Sequence, residues 1–472
     1  MAALAAARPR VRDGPRPDLP QASLRASAAK RMNERLALLL RRAVYNLRGG
    51  FLVRPLTIAL MLGCAGALLS WTEEAFPAVG SWVPKVLFPS HADPQVAQVI
   101  LAAIAASIMT VVSIVFAILL MTLTLASMQF SPRIILSFTR DRVTQWTLGI
   151  FLGTFSYCMA ALPAARSMPQ PFAPIATVLG AMLLALACVG WLLFFINHIS
   201  QAISVNQIVD KIASETETVI DELMPSPRRP NPSIRHDPLA GLTFETTITS
   251  DESGYIRFID TERLVALAGS YRVQVQVLRR VGHFVPEGVP LMRVCAGERL
   301  DGEGRAALLG AFDFGPSRTL QQDVEFGVLQ IVDIALRAVS PAVNDPSTAI
   351  SCVDQLSRIL IRFASREPPE SLLYDAAGVF RLSVAWSDFE RLLDAAFEQT
   401  RLYSKTDIAV SLRMLRALGD IARTTTEFSF RRALAERGRR IVAGCTEKLG
   451  DEEFQEMRTR LHFLEGLLGE AA

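Results

Sequence analysis

The sequence predicts a multi-domain membrane protein: a four-helix transmembrane region, then a cytoplasmic α+β region in which a small β-barrel-like module precedes a helical bundle. Three observations carry this. Between Asp93 and Arg133 lie 39 residues with no Asp, Glu, Lys or Arg, and a bilayer core of roughly 30 Å needs only about 20 such residues from a helix. Hydrophobic residues concentrate before about residue 205 and charges after it. Beyond residue 240, period-two alternation gives way to apolar residues at helical spacing. The length of 472 residues suits more than one domain. A net charge of +3 is too small to point to nucleic acid as a partner.

The elements follow in order. Residues 1–30, rich in Ala, Arg and Pro, read as a disordered basic tail. Pro9, Pro15, Pro17 and Pro20 spoil an amphipathic presequence helix, and the first apolar run long enough to insert begins near Leu56, so no cleavable signal is expected. From Arg31 to Arg48, five arginines could face anionic headgroups along a helix. The spans are read at about 55–72, 99–128, 143–165 and 175–196. The first is bounded by Arg54 and Trp71, which suit the interface. Glu73 to Pro94 contains Pro77, Pro84, Pro89 and Pro94 and reads as an irregular exterior loop.

The second span is about 45 Å of helix at 1.5 Å per residue. Small or polar residues recur along it every seven positions at Ala103, Thr110, Ala117 and Thr124, with Ser107 on the same side. Close helix packing and a pore-lining stripe both fit this pattern. After it, Ser131 can cap a short helix that starts at Pro132. Arg133, Arg140 and Arg142 among apolar neighbours suit an interfacial anchor, or a site for a lipid headgroup or anion. The third span carries Gly149 and Gly153, a GxxxG pair that permits close approach of another helix. The fourth ends near His198, read as an interfacial histidine or a proton-sensitive group at a cavity mouth.

Charge sets the orientation. Twelve Lys and Arg precede Pro55 and three lie between Ser131 and Thr144, against one after span one and one after span three. Positive charge stays inside, which puts both termini in the cytoplasm. No span has a central Asp, Glu, Lys or Arg, which argues against an ion-coupled carrier.

The soluble half opens with a helical, acidic stretch, Ser200 to Leu223, read as an extension of span four. The domain expected over 206–240 is that extension plus a linker marked by Pro225, Pro227, Pro230, Pro232 and Pro238. Residues 241–310 read as the β module. Tyr255–Ile259 and Tyr271–Leu278 alternate, a short helix lies at Thr261–Ala268, and glycines at Gly282 and Gly288 serve tight turns. The Gly282-to-Leu291 pattern is similar to half of a biotinyl or lipoyl hammerhead. A carried cofactor is not expected, because no lysine lies between Lys211 and Lys405.

Residues 311–472 read as helical. One helix runs through Phe326, Leu329, Val332, Leu336 and Val339 and stops at Ser340-Pro341. In the next, Asp345 is the N-cap and Pro346 the first helical residue. Segments near 371–403, 406–424, 427–448 and 451–468 are amphipathic. Capping explains Asn344 and Asp345. A binding or interface role is the alternative for these two together with Arg318, Asp323, Asp333 and Arg337.

The chain resembles a bacterial family of predicted membrane proteins of unknown function, DUF2254. The resemblance covers roughly residues 45–460. It rests on Gln129-Phe-Ser-Pro-Arg133, Leu148-Gly-x-Phe-Leu-Gly-Thr-Phe155, the Gly282-to-Leu291 turn, Phe326-Gly327, Ala338-Val-Ser-Pro341, Asn344-Asp-Pro346 and Thr348-Ala349. Val339 departs conservatively from a Leu-like family position. The resemblance implies an inner-membrane protein with a cytoplasmic domain, and no activity.

Two functions compete: an oligomeric channel-like assembly regulated by its cytoplasmic domain, and a membrane-anchored scaffold or sensor whose cytoplasmic domain binds a partner or ligand. Partners expected are the lipid bilayer and further copies of the chain. The sequence holds no Gly-rich phosphate loop, GxSxG, HExxH or CxxC, so no enzyme activity is expected. The dispersed cysteines and histidines predict no disulfide framework or metal centre.

Overall fold

The computed structural model describes residues 53–76, 93–129, 141–168, 171–202, 204–228, 238–239, 241–297, 300–445 and 450–469. The basic tail, the 31–48 segment, most of the 73–94 loop, the Ser131–Pro132 cap, Arg133 and Arg140 lie outside them. The chain divides into two compact units, each described by itself.

The first unit is built from α1 (Val53–Ala75), α2 (Pro94–Gln129) as far as Val115, α3 (Arg142–Ala161), and α4 (Ile175–Ala202) as far as Leu192. Four helices are long and apolar enough to cross a membrane, over Val53–Ala75, Pro94–Thr124, Arg142–Ala164 and Ile175–Gln201. Each lies over one of the four expected spans.

Small residues set the α1–α3 contact. A Cβ on Gly149 would sit 2.6 Å from Ile58 Cδ1, and one on Gly66 would sit 2.6 Å from the Tyr157 carbonyl oxygen. Gly153 faces Leu62. Because lipid tails are as apolar as leucine, helices associate through such close packing and through polar contacts. Between α3 and α4 the polar contacts include Trp191 Nε1 donating to Thr147 Oγ1 at 2.9 Å, Tyr157 OH donating to Thr177 O at 3.1 Å, and Thr154 Oγ1 against Cys188 Sγ at 3.3 Å.

One residue departs from the sequence reading. Glu73, expected in an exterior loop, lies on the last turn of α1 and is 3% exposed. Its carboxylate accepts from Ala176 N at 2.8 Å and from Thr177 N and Oγ1, each at 3.1 Å. The first amides of a helix have no intrahelical partner, and here an acid from another helix serves the start of α4. Beside it, Arg166 pairs with Glu74.

The second unit holds two cores. One is helical and comprises α5 (Val205–Leu223), α8 (Val324–Ala338), α9 (Pro346–Ala364), α10 (Phe389–Tyr403), α11 (Ile408–Thr424), α12 (Phe428–Cys445) and α13 (Asp451–Gly469). Helix α8 is its axis: ten of its fifteen residues are buried, as expected of a helix apolar on nearly every side.

Helix α5 is the acidic stretch that follows the fourth span, and Ser204, with ψ 118°, interrupts the helix between α4 and α5. Its apolar face (Ile208, Val209, Ile212, Ala213, Val219, Ile220) is buried in the helical core. Its acidic face meets three arginines spaced four apart, Arg358 and Arg362 on α9 and Arg366 just beyond its end. Arg358 pairs with Asp210 at 2.8 Å and Glu217 at 2.5 Å, while Arg362 and Arg366 both pair with Asp221, at 2.5 and 2.8 Å. The Arg362 hydrogen bond leads the effects that lower the Asp221 pKa, and Arg366 adds to it.

The other core is β-rich. Strands β1 (Thr246–Thr249), β2 (Gly254–Ile259), β3 (Gln274–Val277), β4 (Phe284–Val285), β5 (Pro290–Cys295) and β6 (Phe312–Gly315) are interspersed with helices α6 (Thr261–Tyr271) and α7 (Gly302–Leu309). They are completed by β7 (Leu372–Tyr374) and β8 (Phe380–Ser383). A mixed five-stranded sheet has the order β1-β5-β3-β8-β7, with β3 and β8 parallel, and a three-stranded antiparallel sheet has the order β4-β2-β6.

Strands β7 and β8 fall where amphipathic helix was expected, near 371–403. The local pattern there has period two: Phe380, Leu382 and Val384 are buried, with Arg381 and Ser383 between them. Gly378, at φ 76°, supplies the turn of the hairpin. Helix resumes only at Phe389, after the Asp388 cap.

Candidate functional site

The polar centre of the second unit lies where the Arg279–His283 turn meets the start of α8. Asp323 is the N-cap of α8, and its side chain accepts from Phe326 N at 3.1 Å. The same carboxylate takes two hydrogen bonds from one guanidinium, Arg318 Nε to Oδ2 at 2.7 Å and Arg318 Nη2 to Oδ1 at 2.9 Å. Such forked pairs are the strong ones. Burial pulls down the Arg318 pKa, but the hydrogen bonds and charge of Asp323 outweigh it and the pKa is raised.

Gly282 makes the arrangement possible. Its φ is +85°, and a Cβ there would collide with the Asp323 carboxylate and come within 2.8 Å of Arg318 Nη2. The glycine read from the sequence as a turn former therefore also admits an ion pair against its backbone.

A second layer surrounds this pair. Arg280 Nη2 meets Glu325 at 2.8 Å, and Arg280 Nε donates to His283 Nε2 at 2.9 Å. Burial lowers the His283 pKa, and the charges of Arg280, Arg279 and Arg391 lower it further against Glu325. The imidazole is neutral at pH 7, as an acceptor nitrogen requires. Gln322 holds the last residue of β2 with both ends of its amide, accepting from Ile259 N at 3.0 Å and donating to Ile259 O at 3.3 Å.

A small cleft of about 30 Å³ opens here, lined by Leu223, Arg280, Gln322, Asp323, Trp386 and Ser387 among others. That is room for about two waters. Ser387 Oγ is buried and has no hydrogen-bond partner among the described residues.

The six soluble-half candidates divide. Arg318 and Asp323 are joined at the start of α8. Asn344 and Asp345 lie beyond its other end, about 22 Å away along fifteen residues of helix. Asp333 and Arg337 are on α8 itself, half-buried. At the far turn, Asn344 takes a left-handed backbone with φ 49°. Asp345 N donates to Ala338 O at 2.8 Å, and the Asp345 carboxylate accepts from Thr348 N at 3.1 Å and Thr348 Oγ1 at 2.5 Å. The hydrogen bond from the Thr348 hydroxyl is the main cause that lowers the Asp345 pKa. Asp345 is the N-cap and Pro346 the first residue of α9, as the sequence reading has it. Pro341, Ala342, Val343 and Asn344 are exposed.

The membrane candidates also divide. Gly149 and Gly153 pack α3 on α1 within one chain. On α2, Ala103, Ser107, Thr110, Ala117 and Thr124 are all exposed, whereas Ala97, Leu101, Ile108, Val112 and Val115 are buried. At 100° per residue these two sets lie on opposite faces, about 160° apart. The Thr110 and Thr124 hydroxyls bond back to Ala106 O and Leu120 O of their own helix. Arg142 is exposed at the first position of α3, where Asp141 caps the helix by accepting from Thr144 N at 2.8 Å.

A family model for predicted membrane proteins, DUF2254, matches residues 48–420. The chain belongs to the DUF2254 family. Three mycobacterial relatives resemble it over most of its length. Uncharacterized protein Rv1290c of Mycobacterium tuberculosis strain H37Rv and Uncharacterized protein Mb1321c of Mycobacterium bovis are each 30% identical over 438 residues, 91% of this chain and 82% of the relative. Uncharacterized protein MT1328 of M. tuberculosis strain CDC 1551 matches equally. No solved structure matches.

Arg279, Arg280, His283, Glu325 and Ser387 were not singled out from the sequence. The one signal available was the Arg279-Arg280 pair next to Gly282. His283 is three residues on from Arg280, whereas Glu325 comes from more than forty residues away.

Proposed function

We propose that the chain is a subunit of an oligomeric, channel-like assembly in the bacterial inner membrane, built by self-association of α2 and regulated by its C-terminal region. One observation carries this reading. Helix α2 buries Leu101, Ile108, Val112 and Val115 inside the chain and leaves outward a face on which the heptad seam of small and hydroxyl residues runs between exposed Val99, Ile114 and Met121. Lipid offers such a seam no gain, whereas a second copy gains close backbone packing. The excess of Lys and Arg before span one and between spans two and three supports cytoplasmic termini. The reading assigns no catalytic step and no cofactor.

Cysteine crosslinking tests the association. In membranes, Ala103→Cys, Thr110→Cys and Ala117→Cys are expected to form oxidised dimers, and Leu101→Cys on the packed face is not. Dimers of equal yield at all four positions, or at none, refute the seam. Flux of ions and small solutes from proteoliposomes under voltage, osmotic shock and pH change tests the pathway. Leakage no greater than from empty vesicles removes it.

A second reading, a membrane-anchored scaffold or sensor, is favoured by the exposed Pro341–Asn344 turn held by Asp345. In that case an Asn344→Ala/Asp345→Ala double variant that still folds loses crosslinked partners. Retrieval of the same partners refutes that role.

A further inference from the structure

Helices α5, α8 and α9 pack side by side, and their register locates the exposed turn between α8 and α9. At one end Leu223 and Met224 from the end of α5, Val324 from the start of α8 and Phe363 from the end of α9 line one cleft. Helices α5 and α9 therefore run toward the cleft and α8 runs away from it. Glu217 and Asp221 stand twelve and sixteen residues after Val205, the first residue of α5. Their partners Arg358 and Arg362 stand twelve and sixteen after Pro346, the first residue of α9. The two helices thus start level. Helix α8 agrees: a Cβ on Gly327 would collide with the Thr216 hydroxyl. Twelve residues on from Gly327 is Val339, and twelve back from Thr216 is Ser204, about 18 Å along each helix. Val205 follows Gln201, where the fourth candidate span ends, by four residues. The Pro341–Asn344 turn therefore lies at the end of the helical core where the chain leaves that span.

This end is poor in charge. Ile199–Val209, Ala338–Asn344 and Pro346–Val353 hold no Asp, Glu, Lys or Arg. Along α5 and α9 the ion pairs among the described residues start at Asp210 and Asp354. Asp345, beside the turn, has its carboxylate engaged by Thr348. The turn carries apolar side chains outward: Pro341, Ala342 and Val343 are exposed, Val343 by 53%. Its amides are already bonded, Val343 N and Asn344 N to Ser340 O at 3.0 and 2.9 Å and Asp345 N to Ala338 O at 2.8 Å, and Pro341 has no N–H. Satisfied backbone donors are what a segment needs to leave water for lipid.

We propose that the Pro341–Val343 turn rests in the headgroup layer of the bilayer, at the face where the fourth span ends. The partner is the lipid surface and not a second protein. An uncharged end with an apolar tip gains at that boundary, where a charged one would lose hydration. The helical core then meets the bilayer at two points, the α4–α5 junction and this turn, so it cannot pivot freely about Ser204. The inference rests on α4 crossing the membrane and not on how α2 associates.

The test uses the full chain in nanodiscs that hold one copy each. Val343→Cys and, as a second site, Ala342→Cys carry a polarity-sensitive fluorophore; both side chains are exposed, so the label needs no repacking. Gln321→Cys, exposed two residues before Asp323 at the cleft end, is the control. Wild type treated alike sets the background from the six native cysteines. Half of the discs contain lipid with a nitroxide at the top of its acyl chain. Apolar side chains at the interface sit about 5–10 Å into the headgroup and acyl boundary, so the labels at 342 and 343 are expected to lose emission roughly twofold or more in those discs. The label at 321 keeps its emission. Water-like, unquenched emission at 342 and 343 overturns the proposal, because the turn then stands in solvent. Blue-shifted but unquenched emission also overturns it, because protein then covers the turn. So does equal quenching at 321. Failure of the α2 cysteine crosslinks leaves these readings unchanged, since each disc holds one copy.

Discussion

Removing Asp323 should loosen the second unit locally and measurably. The side chain is 4% exposed and Arg318 15%, so Asp323→Ala leaves a largely buried guanidinium without its counter-charge. Breaking a buried pair in this way costs about 3–5 kcal/mol, and losing the N-cap of α8 adds about 1 kcal/mol. Asp323→Asn keeps a capping oxygen and loses only the charge, so it should fall between wild type and Asp323→Ala. The Arg318→Met/Asp323→Asn double variant should cost less than the sum of its single variants, because no buried charge remains uncompensated. A chain of this size with two units does not unfold in one step, so a single melting temperature is the wrong readout. Native-state hydrogen exchange of the intact protein reports opening segment by segment. The expected result is faster exchange over the first turns of α8, by about 3 kcal/mol or more of lost protection, with α1 and α3 unchanged. Unchanged protection at α8 in Asp323→Ala, or strictly additive costs in the double variant, would refute the pairing as an energetic element.

Asn344 sits at φ 49°. Asn344→Gly is expected to change stability by about 0.5 kcal/mol or less, and Asn344→Val to lower it by about 1–2 kcal/mol, read as exchange at the α8–α9 turn. The Asp345 pKa is lowered in the folded chain, so its capping contribution is complete above the ordinary aspartate range and is lost as pH falls through the lowered value. Amides at the start of α9 should therefore lose protection on acidification, and Asp345→Asn should abolish that pH dependence. Glu73→Ala removes the acceptor for two α4 amides and a hydroxyl and should cost about 1–2 kcal/mol, with Glu73→Gln milder. Thermal aggregation of detergent-solubilised protein checks the order. Gly66→Ala should destabilise α1–α3 packing more than Gly153→Ala, because its Cβ meets the backbone of Tyr157 rather than the flexible end of Leu62. Overpacking of this kind costs about 1–3 kcal/mol, and equal stability of the two variants refutes the distinction.

Local patterns read well in this chain. Long uncharged runs gave four membrane-spanning candidates, because hydropathy over some twenty residues is a local property that no neighbour reverses. Asp345-Pro346 gave the start of α9, because a cap and a proline act within one turn. Strands β7 and β8 were misread. Their short alternation is compatible with an amphipathic helix until β3 offers an edge more than ninety residues earlier in the chain, at Val275↔Leu382. Glu73 was misread because its role depends on α4, a hundred residues on.

The sequence by itself determined the membrane half, the family, the caps and the turn glycines, all features set by neighbours along the chain. Only the tertiary structure decided that Gly149 and Gly153 serve a contact inside the chain, that the small-residue seam of α2 faces outward, and that four of the six polar candidates form two places, one at each end of α8. Those facts depend on which helix face meets which partner. Chain-distant contacts fix that choice, and a linear pattern carries no record of them.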